Sequence, residues 1–486
     1  MPMTSDRLSV GTSEPSETRE ASGAKATAPT AATRYLAAAA YMDASFRARV
    51  LEIDRAEFRA RAPEPGIDTV LVTKHCKIAR ARKAWRDAAL CLPLIYFLSS
   101  GLVPALLSGS TQPTFLPIIL AAYGVVIGSV WMVATAIVFC EAFLTEIVTL
   151  TLQFRPKKFC QPQDVRMAPE AIPLNVVVYG GFSPFVGSGY DLAGWSFAVN
   201  LEVGGGGRDG EPNQFAICDL YKTLRSGFER LTIDGLVIID RLYVDGKAIR
   251  GDTRFLQNMF ARPAGRVDAS ILEQFRAKPE NNVRHYLCLQ IEDWSGQVVL
   301  STFVRLQKSA SKLFVEVSSF LLPPLKNRYY EIDARSNNRL VSNTVGLIVT
   351  SLIQSPFLLV IGFIATVRRA WSPIHVFGER RRKRREIRNS PLYNYGATTS
   401  IRELGTENVW RVYFQKLDKE MYSKIVQQQL LDVLAKFLDE HGVDISELKE
   451  RGSYILNNGV IVSGGSIKTE GLAVGQGAQT KVSKRG

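Results

Sequence analysis

Proton transfer, phosphate cradling and metal ligation are the chemistries this chain could support, and each has few candidates. Imidazole titrates near neutral pH and is the usual general base, yet the 486 residues hold only four histidines, at 75, 285, 375 and 441. His285 lies in VRHYLCLQI, a strand-like run with no acid at a spacing that marks a catalytic dyad, so a structural role is expected. The other three fall in a basic helix, beside an apolar segment and next to a helix-ending glycine, and none has HExxH or His/Cys spacing. The six cysteines (76, 91, 140, 160, 218 and 288) show no CxxC and no paired spacing. That argues against structural zinc and a disulfide framework, and fits a reducing compartment. GGFSPFVGSG (180–189) could offer backbone amides to a phosphate through a loop built on Gly180, Gly181, Gly187 and Gly189. No Lys-Ser/Thr follows it and no helix opens from it, so a plain inter-strand loop is expected, with a ligand loop as the alternative. GGGGRDG (204–210), Asp240–Arg241 and Glu292–Asp293 read as surface groups. No catalytic, cofactor-binding or metal-binding residue is assigned, and no cofactor is expected.

The net charge of +14 invites a nucleic-acid reading, so its location decides. Six basic residues and no acid lie between positions 74 and 86: Lys74, Lys77, Arg80, Arg82, Lys83 and Arg86. A second block, in FGERRRKRREIRN (377–389), contains Arg380, Arg381, Arg382, Lys383, Arg384 and Arg385. With the arginines that flank it, this block and the first carry thirteen of the fourteen net charges. A nucleic-acid binder would spread such charge over a folded face with stacking aromatics. Here both blocks adjoin uncharged apolar segments, where Lys and Arg mark the cytoplasmic side of a membrane. The partners expected are therefore a lipid bilayer and its anionic headgroups, with nucleic acid unlikely.

The apolar segments must hold those blocks in place. From Ala88 to Cys140 there are 53 positions without a charge, broken by SGSTQP (108–113). At about 20 helical residues per crossing, this reads as a two-helix transmembrane hairpin, 88–107 and 114–138, with a helical extension to residue 154. A third segment, 340–367, would place the arginine run outside if it crossed once. A shallow re-entrant turn at QSP (354–356), where Pro356 lacks an amide hydrogen, is the favoured escape.

The remaining elements are soluble. Residues 1–32 read as a disordered tail, and 33–87 as cytoplasmic helices with a stop at PEPG (63–66) and a cap at Asp68. The domain at 155–339 is α+β with a mainly antiparallel sheet: strands at 174–181, 194–203, 236–244, 284–293, 296–306 and 312–322, helices near 217–230 and 268–277. A basic juxtamembrane linker (368–405) leads to a helical region (406–455), where Trp410, Phe414, Leu417, Met421 and Ile425, then Leu431, Leu434 and Leu438, form an apolar stripe. That stripe is either a local core on the sheet domain or a self-association face. In the last segment, 456–486, Gly459, Gly465, Gly471 and Gly477 fall at a strict step of six. Such a period suits short β arcs that stack between copies, the alternative being a disordered terminus.

Two stretches have familiar counterparts. RYLAAAAYMDASF…PEPGIDTVLVTKHC resembles the start of uncharacterised integral membrane proteins of actinobacteria. ILNNGVIVSGGSIKTEGLAVGQGA is similar to short Gly-rich terminal segments on bacterial signalling and conflict proteins, some of them amyloid-like adaptors. This copy departs from a dry zipper at Lys468 and Glu470. Neither resemblance implies a catalytic residue. The expected function is a bacterial, multi-pass, membrane-anchored signalling or scaffold protein with cytoplasmic soluble domains, clustering into a homo-oligomer through its tail. A ligand or nucleotide sensor, or an enzyme, in 160–339 is the first alternative, and an oligomeric pore-forming effector the second.

Overall fold

The structure, a computed structural model, describes residues 30–100, 116–154, 173–204, 212–334 and 340–458. Four helices come first: α1 (Ala31–Met42), α2 (Ala44–Arg55), α3 (Thr69–Ser99) and α4 (Leu116–Phe154). The sheet region follows with β1 (Val176–Tyr179), β2 (Tyr190–Asn200), α5 (Ile217–Glu229), β3 (Leu236–Asp245), α6 (Ala269–Ala277), β4 (Val283–Asp293), β5 (Val298–Lys308) and β6 (Lys312–Leu322). Short helical turns at Asn327–Tyr330 and Glu331–Ala334 lead to α7 (Leu340–Ala370), α8 (Ser372–Asn389), α9 (Ile401–Leu404), α10 (Tyr413–Glu440) and α11 (Ser446–Asn458).

The strands form one six-stranded sheet in the order β1-β3-β4-β5-β6-β2. Only β1 and β3 pair in parallel; the other four pairings are antiparallel. Alternate residues of each strand point to opposite faces, and here both faces are covered. On one, Leu287, Leu289, Val304, Val315 and Val317 meet α5, and α10 lies over α5 through Val426, Leu430, Leu431 and Leu434. On the other, Phe185 is ringed by Phe303, Phe320, Tyr243 and Tyr286, at centroid distances of 4.3, 4.9, 5.2 and 5.2 Å. The sheet domain is thus discontinuous in sequence: α10 and α11 finish its core after the chain has left to build α7 and α8. This answers the question left open for the apolar stripe. Its second half is local core, while Phe414 and Met421 in the first half remain exposed.

The helical stretch expected before PEPG is two helices, because Asp43 ends one and caps the next. Its carboxylate accepts from the amides of Ser45 (3.0 Å) and Phe46 (3.1 Å) and from the Tyr329 hydroxyl (2.7 Å), and it pairs with Arg328. Burial acts to raise this acid, but those hydrogen bonds and Arg328 outweigh it and hold the pKa at about 2. A depressed carboxyl adds stability above its unfolded value, near 3.8, that is lost as pH falls through about 2. An Asp43→Asn variant should therefore be less stable than wild type by about 2 kcal/mol at pH 6, with the gap closing between pH 4 and 2. Melting curves across that range check it; a constant gap contradicts it.

Two helices, α4 over Ala121–Gln153 and α7 over Thr344–Ala370, are long and apolar enough to cross a membrane. Of the first expected span, 88–107, residues 88–99 form the end of α3; residues 101–107 lie outside the described residues, as does SGSTQP. The re-entrant turn expected at 354–356 does not occur: α7 is one unbroken helix with Pro356 inside it. A proline orphans the carbonyl four residues earlier, here that of Leu352. The Trp131 indole N–H from α4 donates to it at 3.1 Å, and the Ser355 hydroxyl at 3.2 Å. Thr135 bonds Ser355 at 2.9 Å, so the repair is shared between the two helices. Trp131→Phe should cost about 0.5–1.5 kcal/mol, read as a lower melting temperature in detergent; no change would mean that Ser355 suffices.

Candidate functional site

Two regions bring functional side chains together: the charged end of the helix bundle, and a gap in the sheet. In the bundle, Leu90, Val130, Ala134, Val138 and Leu359 form the core. Trp131 stands level with Leu352, Thr135 with Ser355 and Asp87 with Gly362, so α7 runs in the same direction as α4. Its basic end therefore arrives at Asp87, whose carboxylate binds Arg369 (2.7 Å) and Arg86 (2.6 Å), while Arg86 also reaches Glu141 (3.4 Å). Sequence reading passed over Asp87 and Arg369. Their signal was position, since each stands at the edge of an uncharged run opposite a complementary charge.

The first basic block is only partly a surface. Lys74, Lys77 and Arg80 are exposed, with Lys77 held by Asp54 at 2.9 Å. Arg82 donates to the Leu144 carbonyl (3.3 Å) and stacks on Tyr41, Lys83 is half-buried, and Arg86 is turned to Asp87 and Glu141. Arg82 and Arg86 are thus engaged by acceptors that α4, packed alongside, presents, which the lipid-facing cluster expected from the sequence did not include. The second block does form a surface. Ile387 anchors α8 in a core with Val176, Val244 and Tyr395, and Arg250 holds the carbonyls of Ser390 (2.5 Å) and Arg388 (3.2 Å). Arg380 pairs with Glu57 and Lys383 with Glu379. Arg381, Arg382, Arg384 and Arg385 are exposed with no acidic partner within ion-pair distance among the described residues. The arginine run therefore lies against the sheet domain.

The loop at 180–189 already holds an anion, the chain's own. Gly187 N–H (2.8 Å) and Gly189 N–H (3.1 Å) both donate to the Glu403 carboxylate, and Phe185 plugs the sheet from this loop. Both glycines have positive φ, and a Cβ would meet Pro63 O at 2.3 Å or Leu321 O at 2.1 Å. Gly180 is pressed against Gly396 and Asn394, while Gly181 is open. The ligand-loop alternative is thereby corrected: the two amides suited to a phosphate are spent on fastening α9.

That fastening is part of a buried junction. Glu64 accepts from the amides of Ile401 (2.7 Å) and Arg402 (2.8 Å). The Arg402 side chain, wholly buried, donates to the carbonyls of Gly296 (3.1 Å), Gln297 (2.7 Å) and Pro323 (3.2 Å). Burial lowers Arg402 to about 10, still charged at neutral pH, and pushes Glu64 up to about 8 against the pull of its two amide bonds. Glu64, both ends of the β5–β6 hairpin and α9 meet at this one guanidinium.

The second region arises where β4 and β5 part. Their pairing runs from Asp293–Val298 to Leu287–Val304 and stops; continued, it would set His285 opposite Leu306. Tyr221 of α5 takes that place, accepting from Leu306 N–H (2.8 Å) and donating to Leu306 O (3.3 Å). Beside it lies a cavity of about 330 Å³, lined by Tyr221, Arg276, His285 and Lys308 among others. His285, 3% exposed, places Nε2 2.9 Å from Asp240. Asp240 also binds Arg276 (2.7 Å) and Arg225. Burial acts to raise the Asp240 carboxyl, but His285, Arg276 and Arg225 hold it well below the usual range. Burial lowers the His285 pKa despite Asp240, so the ring is neutral. A carboxylate only accepts, so the one ring proton sits on Nε2 and Nδ1 keeps a lone pair; no group among the described residues bonds it.

His285 is thus half of the dyad that no spacing announced. Asp240 pairs across from Leu287, and His285 from Leu242, so the two acid–base residues share a face only through a register set after a long excursion at 246–282. The five described cysteines are free. Gly459, Gly465, Gly471 and Gly477 lie outside the described residues.

The family model of the AbeC-like domain matches residues 194–468. No curated protein and no solved structure matches the chain. The matched stretch includes α7 and the arginine helix α8 as well as β3 to β6 and most of β2, whereas β1 and the first hundred residues, which carry the actinobacterial resemblance, fall outside it. More than half of the chain lies within that stretch, and the chain belongs to the family of proteins with an AbeC-like domain.

Proposed function

We infer that the chain is a membrane-anchored scaffold or signalling protein whose sheet domain and arginine helix lie together on the cytoplasmic face: α4 and α7 run in the same direction and so end on one face, and the passage from the sheet domain to the start of α7 falls at 335–339, outside the described residues. The observation that carries this is the joining of α8 to the sheet domain, through Ile387, Arg250 and the Arg380–Glu57 pair, directly after an apolar helix. The outer surfaces of α4 and α7 are apolar where no protein covers them; Met132 is 73% and Phe357 69% exposed. A bilayer gives such surfaces a partner, and anionic headgroups give one to Arg381, Arg382, Arg384 and Arg385 of α8, which have no acidic partner among the described residues. The rigid junction at Arg402 suits a protein that passes a positional signal, or holds a partner, at fixed geometry to the membrane. Clustering of copies through the Gly-periodic tail belongs to this reading. Deleting 459–486, which spares α11, should reduce the size of the detergent-solubilised complex by sedimentation or mass photometry; an unchanged size removes the clustering while leaving the anchoring intact.

A further inference from the structure

The first half of α10 carries an apolar face that no described residue covers. Tyr413 is 70% and Phe414 62% exposed, and Leu417 and Met421 continue the exposed stripe along the helix. Such a face on a folded domain marks a contact, and the course of the chain says with what. Gly442 turns the chain back, and α11 packs antiparallel on α10. Leu448 and Ile455 share a core with Leu434 and Leu438, and a Cβ at Gly452 would sit 3.3 Å from Leu431. Both helices rise about 1.5 Å per residue. Six residues on from the Gly452–Leu431 contact, Asn458 therefore comes abreast of Ile425, and α11 ends pointing along α10 toward Met421.

We propose that Val460, Ile461 and Val462 of the same chain dock on this face, as a clasp that fastens the start of the tail along α10. These three are the one run of β-branched aliphatic residues in 459–486, and they follow α11 after a single glycine. Extended chain advances about 3.3 Å per residue, so two of its residues span about four of a helix. Val460 then comes abreast of Met421 and Val462 abreast of Leu417, with both side chains on one side of the extended segment. Gly464, level with Tyr413, leaves room for that ring. The AbeC-like match supports the same grouping independently. It runs past Asn458 to residue 468, so 459–468 goes with the domain that α10 completes. A second copy could offer the same three residues, but a segment tethered by one residue acts at an effective concentration of about a millimolar, which favours the chain's own. The clasp would lead the tail to the bundle end of the sheet domain. There Arg411 lies over Tyr330 at 4.4 Å, and Tyr330 packs against Tyr35 of α1 at 4.5 Å. The contact stands whether or not copies cluster through the rest of the tail.

The test uses the full chain in detergent, its six native cysteines replaced and Met421→Cys introduced. A maleimide should label the thiol at 421 about tenfold faster or more when 459–486 are deleted. Combining Val460→Asp with Val462→Asp should have the same effect, and both changes spare α11. Lys436→Cys, exposed on α10 beyond the proposed contact, is the control and should react alike in every chain. Val460→Cys added to Met421→Cys should give, on mild oxidation, a disulfide within one chain, read by peptide mass and by a gel band of monomer size. Labelling at 421 that is equal with and without the tail would overturn the proposal, whatever else covers the face. A disulfide that joins two chains would overturn it too, and assign the face to a second copy. Neither result bears on which side of the membrane the domain lies, since the reagent reaches both in detergent.

Discussion

Arg402→Ala is expected to lose about 3–5 kcal/mol, the cost of stripping one partner from a buried charged network. Against a total folding stability of about 5–15 kcal/mol, that is enough to unfold the junction at physiological temperature. Three carbonyls, of Gly296, Gln297 and Pro323, would lose their shared donor in a place water does not reach. Glu64 and Glu292 would lose the positive charge beside them. All three bonds come from one nitrogen, Nη2, so Arg402→Lys should rescue only as far as the shorter side chain brings its ammonium within reach of the same three carbonyls. Thermal melts and limited proteolysis in detergent read the effect. The expected picture is early cleavage in the 293–298 turn and around 400, with a melting temperature many degrees lower. An alanine variant that melts with wild type would show that α9 is held by Glu64 and Glu403 alone.

The second large effect concerns lipid. Replacing Arg381, Arg382, Arg384 and Arg385 by Gln removes four surface cations without touching Ile387, Arg380 or Arg250. At about 1 kcal/mol per basic residue near an anionic surface, the four together contribute about 4 kcal/mol of preference for anionic over neutral lipid. Wild-type protein should therefore melt higher in phosphatidylglycerol nanodiscs than in phosphatidylcholine ones, and the difference should shrink with salt. In the variant the two melting temperatures should coincide. If the variant keeps the full preference, the arginine helix is not the surface that meets headgroups.

Much of the architecture is legible in the sequence wherever one physical rule acts locally. Runs of β-branched and aromatic residues ending at turn formers mark all six strands, and Gly442 ends α10 with a φ of +76°, as a helix-ending glycine should. What eludes sequence reading is set by partners distant in the chain. Pro356 signals a break, and the donors that make up for it include Trp131, 225 positions earlier, which no local pattern announces. The Gly-rich loop advertises amides for a phosphate, and Glu403 satisfies them from 214–216 residues away. Arg82 and Arg86 carry the composition of a lipid-facing cluster, yet α4 presents acceptors that engage them. His285 and Asp240 are separated by 45 residues, and the sheet register alone places them 2.9 Å apart.

The claim on which this account rests is that the sheet domain and the arginine helix share the cytoplasmic side of the membrane. Two exposed positions report on it, Lys312 at the start of β6 and Glu379 on α8. Each is changed singly to cysteine in a chain whose six native cysteines are replaced. Intact cells are then treated with a membrane-impermeant maleimide, and a parallel sample after lysis. Both positions should be unreactive in intact cells and fully labelled once the membrane is opened. Labelling of either one in intact cells contradicts the account, and labelling of only one would show that α7 parts what the contacts of α8 join.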